Sequence, residues 1–431
     1  MKFQKPKGTK DILPSEIYKW HFAEQKIHEV MDVYNFKEIR TPTFEHTEIF
    51  TRGVGEGTDI VGKEMYTFID KGGESMTLSP EGTAPVMRAY LENSFSSESP
   101  LHKLYYITNM FRYEKPQAGR FREHTQFGAE IIGSDDYKTD VELISLAKEI
   151  YNQIGITDFS LKINSMGKKG EREIYLEKLI AFLKSNENSL SMDSKRRLVI
   201  NPLRILDSKD ENDRKITSEA PKILENLSDE SRKRFDNVLN GLTSIGINYE
   251  IDFRLVRGLD YYTDTTFEFI SSSLGAQDAI GGGGRYDGLI ETLGGKPTPG
   301  VGFGSGIERI LMVAERNNFE FPKPNHVDVY IIALNEEAKQ KSILFLKDLR
   351  EKKFKCDMDF ASRSFKSQMR EANKIGAIFV MIIGEEEMKK NCVTLKNMWD
   401  SSQEEIPFTE ILNTLTPKII SSRTRFKYSA Y

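Results

Sequence analysis

Gly302-Phe303-Gly304-Ser305-Gly306-Ile307-Glu308-Arg309-Ile310-Leu311-Met312 is the stretch on which the fold turns. Glycine at every second position of an apolar strand lets another backbone or a ligand come close. Where the glycines stop a helix begins, and the dipole at its N-terminus favours anions. Arg309 falls in the first turns of that helix, within reach of a polyphosphate. The same residues would also make a tightly packed strand–helix joint with an arginine on its surface.

Neighbouring segments share this mixture of glycine, arginine and carboxylate. Upstream, Phe111-Arg112-Tyr113-Glu114 and Arg120-Phe121-Arg122-Glu123-His124 are strand-like halves around a turn with Pro116 and Gly119. Arginines and a glutamate therefore project from a hairpin. Guanidinium forks match phosphate oxygens and a carboxylate matches an amine, although an exposed charged hairpin reads alike. Nearer, Leu255-Val256-Arg257-Gly258-Leu259-Asp260-Tyr261-Tyr262 is followed by Gly281-Gly282-Gly283-Gly284-Arg285-Tyr286-Asp287. A guanidinium, a carboxylate and paired tyrosines suit a small polar pocket, and equally a core of tyrosines with satisfied hydroxyls. Residues 57–64 have P-loop spacing, but Glu64 stands where Ser or Thr would ligate magnesium. No GxGxxG follows a strand, so a dinucleotide fold is not expected.

Outward from these segments, Ile17, Phe22, Ile27, Val30 and Met31 recur near the helical period and predict a helix over 17–33. A strand is expected over 36–43, ending at Pro42, then a loop with four glycines over 51–63. A helix over 83–93, strands over 103–112 and 127–132, a helix over 141–154 and a strand through Phe159, Leu161 and Ile163 follow. Residues 168–236 hold 16 Lys/Arg and 14 Asp/Glu in 69 positions and almost no glycine, which predicts a well-solvated helical insertion. Strand alternation returns at Ile251, Phe253 and Leu255 and at Phe267 and Phe269. Residues 317–325 carry two prolines and read as a linker. Beyond them, apolar 327–333, amphipathic 336–353, extended 355–360, helical 365–375 and apolar 377–383 predict an α/β domain with a largely parallel sheet. The expected domains are a core of 1–166 with 241–318, an insertion of 167–240, a linker of 319–325 and a C-terminal domain of 326–431.

Composition excludes more than it assigns. The 61 Lys+Arg and 65 Asp+Glu leave a net charge of −4, which rules out coating nucleic acid by bulk charge but not binding through a local patch. With 38% hydrophobic residues the chain is not disordered. Cys356 and Cys392 build no disulfide framework, so a reducing cytosol is expected. The apolar run 377–383 is too short to span a bilayer, and residues 1–7 lead into no apolar segment of a secretory signal. Six scattered histidines without HExxH predict no structural zinc.

Together these segments resemble the class II aminoacyl-tRNA synthetases, and within them the histidyl-tRNA synthetase family. Gly-x-Gly-x-Gly-x-Glu-Arg at 302–309 is similar to that class's motif 3. Phe111-Arg-x-Glu with its loop is similar to motif 2, and the helix and strand ending at Pro42 to motif 1, the dimer interface of the class. Arg257-Gly-Leu-Asp-Tyr-Tyr262, Gly284-Arg-Tyr-Asp287, Pro80-Glu81-Gly-Thr83 and Asn201-Pro-Leu-Arg-Ile-Leu-Asp207 resemble segments specific to the histidine enzymes. The resemblance covers nearly the whole chain. Residues 361–370 with 377–384 are similar to the family's anticodon-binding module.

The resemblance implies an α+β fold: an antiparallel class II synthetase-like sheet flanked by helices, a helical insertion and a C-terminal α/β anticodon-binding domain. It implies a cytoplasmic homodimer, not bound to a membrane, whose partners are ATP, Mg2+, L-histidine and histidine tRNA. Histidine and MgATP would give histidyl-adenylate and pyrophosphate, and the histidyl group would then pass to the terminal adenosine of the tRNA. By resemblance, Arg112 holds the α-phosphate, and Arg120 and Arg309 hold the β- and γ-phosphates. Arg257 lies near the substrate carboxylate and α-phosphate, so Arg257 and Arg112 are the catalytic pair. Glu114 sits near the adenine amine. Glu81, Thr83 and Gln126 hold the α-amino group, and Glu130, Tyr262 and Tyr286 enclose the imidazole. No metal ligand is indicated.

Two positions depart from the family. Leu78-Ser79-Pro80-Glu81 stands where Leu-Arg-Pro-Glu is usual, and His124 takes the slot of a phenylalanine that stacks on adenine. Two other readings remain: a catalytically silent relative that senses histidine for a biosynthetic enzyme, and a class II synthetase for another amino acid. The first usually lacks the C-terminal domain, and the Arg257 and Tyr286 segments argue against the second.

Overall fold

The computed structural model describes residues 3–55, 57–115, 119–275, 279–323 and 327–428; Pro116 of the hairpin turn, and Pro324 and Asn325 of the expected linker, lie outside the described residues. One sheet organises the first unit. Six antiparallel strands run in the order His102–Phe111, Glu123–Ile132, Gly300–Gly306, Ala279–Arg285, Thr263–Ser271 and Phe159–Ser165. The two-residue strands Lys37–Glu38 and Glu250–Ile251 lie parallel at its edges.

The period-two alternation of these strands separates two faces. Phe127, Ala129 and Ile131, Val301 and Phe303, and Phe267 and Phe269 join one core with the helices Ile17–Val33, Lys138–Gln153, Asp229–Ser244 and Ile307–Arg316. The intervening residues, Gln126, Gly128 and Glu130 on one strand and Gly302, Gly304 and Gly306 on the next, fall on the opposite face. Gly302 lies directly across from Glu130, Gly304 from Gly128 and Gly306 from Gln126. A Cβ on Gly302 would come within 1.6 Å of Glu130 Oε2, and one on Gly304 within 2.4 Å of Gln126 Nε2. The alternate glycines are therefore the floor on which the neighbouring strand's polar side chains lie.

The charged stretch after Gly167 is helical, with Lys169–Ser185, Met192–Ile200 and Glu211–Ser218 around a separate core of Tyr175, Leu179, Leu183 and Ile205. Asp213 ties it together by accepting from the hydroxyls of Ser191, Ser194 and Ser208 at 2.7, 2.6 and 2.6 Å. The helix Asp229–Ser244 instead buries Phe235, Val238 and Leu242 in the main core. A second unit runs from Pro322 onward. Its strands lie in the order Cys356–Met358, Val329–Ala333, Phe379–Ile383, Cys392–Asn397 and Gln403–Pro407.

Several local expectations are corrected. That second sheet is mixed, with two parallel pairings and two antiparallel ones, because the short helix Glu385–Lys390 after Ile383 and a turn after Asn397 bring the last two strands back alongside. The strand over 36–43 shrinks to Lys37–Glu38, with Phe44–His46 pairing separately in a three-stranded sheet with Ser75–Leu78 and Tyr66–Ile69. The glycine-containing stretch 51–63 is largely helical, in Thr47–Val54 and a single turn at Ile60–Glu64. Alternation at 251–255 stops at Ile251, since the Asp252 carboxylate accepts from Arg254 N (3.0 Å) and its carbonyl from Leu255 N (2.9 Å), which turns the chain.

Candidate active site

The hairpin arginines are held by backbone as much as by charge. Arg112 follows the His102–Phe111 strand and donates from Nε to the Pro80 carbonyl at 2.7 Å. Arg120 pairs with Glu114 at 2.8 Å. Arg122 donates to the Glu114 carbonyl at 3.2 Å and lies 3.7 Å over the Tyr113 ring. Arg309, at the start of the Ile307–Arg316 helix, donates to the Gly119 carbonyl at 3.1 Å and to that of Ala279. It thereby ties the hairpin turn to the start of the Ala279–Arg285 strand.

Arg112, Glu114, Arg120 and Arg309 line a cleft of about 180 Å3 together with His124, Gln126, Arg257, Glu268, Glu308 and residues 281–282 and 304–306. His124 is half-buried in its wall. Burial, with Arg112 and Arg309 as neighbouring cations, pushes its imidazole down to about 3, so the ring is neutral. Glu308 accepts from Thr125 N at 2.9 and 3.2 Å, and burial pushes its carboxyl up to about 7.

Beyond Gln126 the cleft meets a buried polar group built by several elements. Glu130, wholly buried, accepts from Thr83 Oγ1 at 2.9 Å and from the Tyr286 hydroxyl at 2.5 Å. Burial raises its carboxyl to about 8, with Glu81 adding like-charge repulsion and the two hydroxyl donors opposing the rise. Glu81 accepts from Thr83 N and Ala84 N at 2.8 and 2.9 Å, which places its carboxylate on the first N–H groups of the Thr83–Glu92 helix. Tyr261 donates to Glu81 at 3.4 Å and packs edge-on against Tyr286. Gln126 donates to the Tyr106 hydroxyl at 3.2 Å, and Arg257 lies 5.8 Å from the Tyr262 ring.

Of the residues singled out from the sequence, Arg112, Glu114, Arg120, His124, Gln126, Arg257 and Arg309 line the cleft itself. Glu81, Thr83, Glu130, Tyr262 and Tyr286 form or flank the buried group next to it. Ser79, at the departing position, is buried; its N–H and carbonyl bridge Thr43 and Phe111, and its hydroxyl is unpartnered. Two side chains of the site are not singled out by the sequence, Tyr106 and Glu268, while Tyr261 and Glu308 stand in its motifs without a role of their own. Tyr106 carries no signal in its apolar run. Glu268 does, being the single acid between the core residues Phe267 and Phe269.

A family model described as Histidyl-tRNA synthetase matches residues 8–168 and 173–310. The chain belongs to the histidyl-tRNA synthetase family. An Anticodon binding domain model matches residues 328–418. A histidine–tRNA ligase of Thermoanaerobacter sp. (strain X514) is 52% identical over 406 residues, covering 94% of this chain and 97% of that one. The histidine–tRNA ligase of Acetivibrio thermocellus is 47% identical over 412 residues, covering 96% and 99%. The crystal structure of apo S. aureus histidyl-tRNA synthetase superposes with a TM-score of 0.80 at 35% identity, over 96% of this chain and 99% of that one. The antiparallel sheet with flanking helices and the C-terminal domain are thus those of the family. Among the described residues, no helix is long and apolar enough to cross a membrane.

Proposed function

We propose that this chain activates L-histidine with ATP to histidyl-adenylate, releasing pyrophosphate, and transfers the histidyl group to the terminal adenosine of histidine tRNA. The observation that carries this reading is one cleft lined by Arg112, Arg120, Arg257 and Arg309 that ends at the buried Glu130–Tyr286–Thr83 group. The first holds a polyphosphate and the second reads a small polar side chain.

In the first step a histidine carboxylate oxygen bonds to the α-phosphorus and the bond to the β-phosphate bridging oxygen breaks, so negative charge grows on phosphate oxygens. Arginines already fixed in place stabilise that charge without reorganising. Arg257 and Arg112 face the α-phosphate and carboxylate; Arg120 and Arg309 take the β- and γ-phosphates. The substrate's own carboxylate is the nucleophile, so no side chain is asked to be one. Neutral His124 lies against the adenine, and Glu114 near its amine. Glu81, Thr83 and Gln126 receive the α-amino group, and Glu130, Tyr262 and Tyr286 the imidazole.

Magnesium fits this site as a counter-ion carried by the nucleotide. The described residues contain no group of three or more metal-ligating His, Cys, Asp or Glu side chains, and Mg2+ is commonly held by phosphates with one or two carboxylates. Of the lining carboxylates, Glu114 is paired with Arg120 and Glu268 with Arg257, while Glu308 faces a backbone N–H. When bound, the ion would neutralise polyphosphate charge.

The same reading assigns residues 1–166 and 241–318 to catalysis, 167–240 to the insertion and 326–431 to the anticodon, joined by 319–325. It also proposes a homodimer. Phe44, Phe68 and Ile69, on the three-stranded sheet that follows the motif 1 segment, are 46%, 43% and 65% exposed on one chain, an apolar area that suits an interface. A cytosolic location goes with buried, unpaired Cys356 and Cys392.

ATP–pyrophosphate exchange measured across the standard amino acids tests the substrate, and Arg257→Ala tests the machinery. Loss of one transition-state donor costs about 3–4 kcal/mol, so exchange falls by more than about a hundredfold. Exchange within about twofold of the parent chain would exclude the role given to Arg257.

A further inference from the structure

Arg257 has a demanding placement. It belongs to the irregular segment between Glu250–Ile251 and Thr263–Ser271, with no helix or strand of its own to fix it. An arginine in such a segment has many rotamers, and each one away from the phosphate is lost time for catalysis. Its guanidinium nevertheless occupies one defined position. Nη1 donates to Glu268 Oε1 at 2.7 Å. Gly282 stands directly across from Glu268 on the adjacent strand, and a Cβ there would come within 2.7 Å of Nη1 and 3.1 Å of Cζ. The slot that receives the guanidinium thus exists only because that strand position lacks a side chain.

Glu268 is anchored where Arg257 is not. It sits in the middle of a nine-residue strand, between Phe267 and Phe269, both fully buried in the main core. Both Arg257 and Glu268 line the cleft. The Arg257 side chain remains 20% exposed while bonded to Glu268 through Nη1, and its Nε is without a hydrogen-bond partner, so the bond to Glu268 does not use up its donors. A carboxylate here has two opposed effects: its charge weakens the pull of Arg257 on phosphate, and its bond removes the entropy cost of orienting the guanidinium.

We propose that Glu268 is a positioning residue for the adenylation step: it holds the Arg257 guanidinium from a rigid core strand, so that its free donors face the α-phosphate and the histidine carboxylate. This rests on the role given to Arg257 above.

The test is a double-mutant cycle on the full-length chain, read by ATP–pyrophosphate exchange, with Arg257→Ala, Glu268→Gln, Glu268→Ala and the combined variants. Glu268→Ala is expected to lower kcat at least about tenfold, with KM for ATP and for histidine each within about twofold. Glu268→Gln, which keeps an acceptor at the same place, recovers part of that loss. In the Arg257→Ala background, neither Glu268 substitution lowers kcat by more than about a further twofold. Additive losses would overturn the proposal, since Glu268 would then act on its own. So would a rise in KM for ATP or histidine with kcat unchanged, an increase in kcat for Glu268→Gln, or a loss reversed by raising Mg2+, which would mark a metal ligand. Should Glu268→Ala fail to fold, the near-isosteric Glu268→Gln cycle carries the same outcomes. If Arg257→Ala alone leaves exchange intact, the proposed function's role assignment fails; if it abolishes exchange while both Glu268 variants stay fully active, only this inference fails.

Discussion

Glu130 faces a requirement that its burial makes expensive, because it must accept a hydrogen bond from a substrate ring with no solvent to share its charge. Thr83 and Tyr286 already donate to it, and an arriving imidazole N–H adds a third donor that favours the ionised form. Glu130→Gln is therefore expected to raise KM for histidine by an amount worth about 1–3 kcal/mol while that for ATP stays near its parent value; equal effects on both would mark a structural role. The same carboxyl predicts a pH dependence. Its value in the fold, about 8, lies above the ordinary 4.5, so between those values the folded chain keeps a proton that the unfolded chain has lost. Stability without substrate then falls as pH rises from about 5 to about 8, and below that window the contribution levels off. Glu130→Gln should flatten this slope in urea melts at several pH values; an unchanged slope would contradict it. His124 is neutral because of its burial first, and of the neighbouring cations Arg112 and Arg309 second. Stacking of a base on a ring is worth roughly 1–3 kcal/mol, and an imidazole sits at the low end. His124→Phe should preserve or lower KM for ATP, His124→Ala should raise it several-fold, and KM for histidine should hardly move. An alanine variant with unchanged KM for ATP would show that the ring does not touch adenine.

The Gly300–Gly306 strand acts through what it lacks. Its outward beat of glycine gives Glu130 and Gln126 the space to lie flat across it. Gly302→Ala would put a methyl group into a carboxylate held by two hydroxyls, and overpacking of this kind costs about 1–3 kcal/mol. Urea midpoints should fall accordingly, with KM for histidine raised more than that for ATP. Gly288→Ala is the comparison: Gly288 is exposed and nothing lies within 4 Å of an added Cβ, so its midpoint should stay within about 0.5 kcal/mol of the parent chain. If both substitutions behaved alike, close approach would not explain the glycine pattern.

The chain divides between Phe321 and Pro322 into two units, each with its own hydrophobic core. A chain ending after Lys323 keeps every residue of the proposed cleft and the whole six-stranded sheet. It is expected to retain ATP–pyrophosphate exchange while tRNA charging efficiency drops at least about tenfold, or about 1.4 kcal/mol. Dimerisation, followed by sedimentation, should persist if the motif 1 surface forms the interface. Full charging by the shortened chain would contradict the anticodon-binding role of residues 326–431.

Periodicity and spacing made the helix Ile17–Val33, the glycine strand, the arginine hairpin and the charged insertion legible in the chain itself, because each is written in neighbouring residues. The twelve side chains named from motifs also come together on the glycine-floored face or in the buried group beside it. What local pattern does not contain is the partner across the sheet. Tyr106 and Gln126 meet only because their strands pair in one register, and Glu268 reaches Arg257 only because Gly282 on the next strand leaves room. For the same reason the loop expected over 51–63 is largely helical: Gly53 lies in the Thr47–Val54 helix, packed so closely on Ala84 and Leu289, distant in sequence, that a Cβ there would lie 3.2 and 3.3 Å from them. Register and packing are properties of pairs of segments, and burial then sets the charge of Glu130 and His124, which only the assembled fold decides.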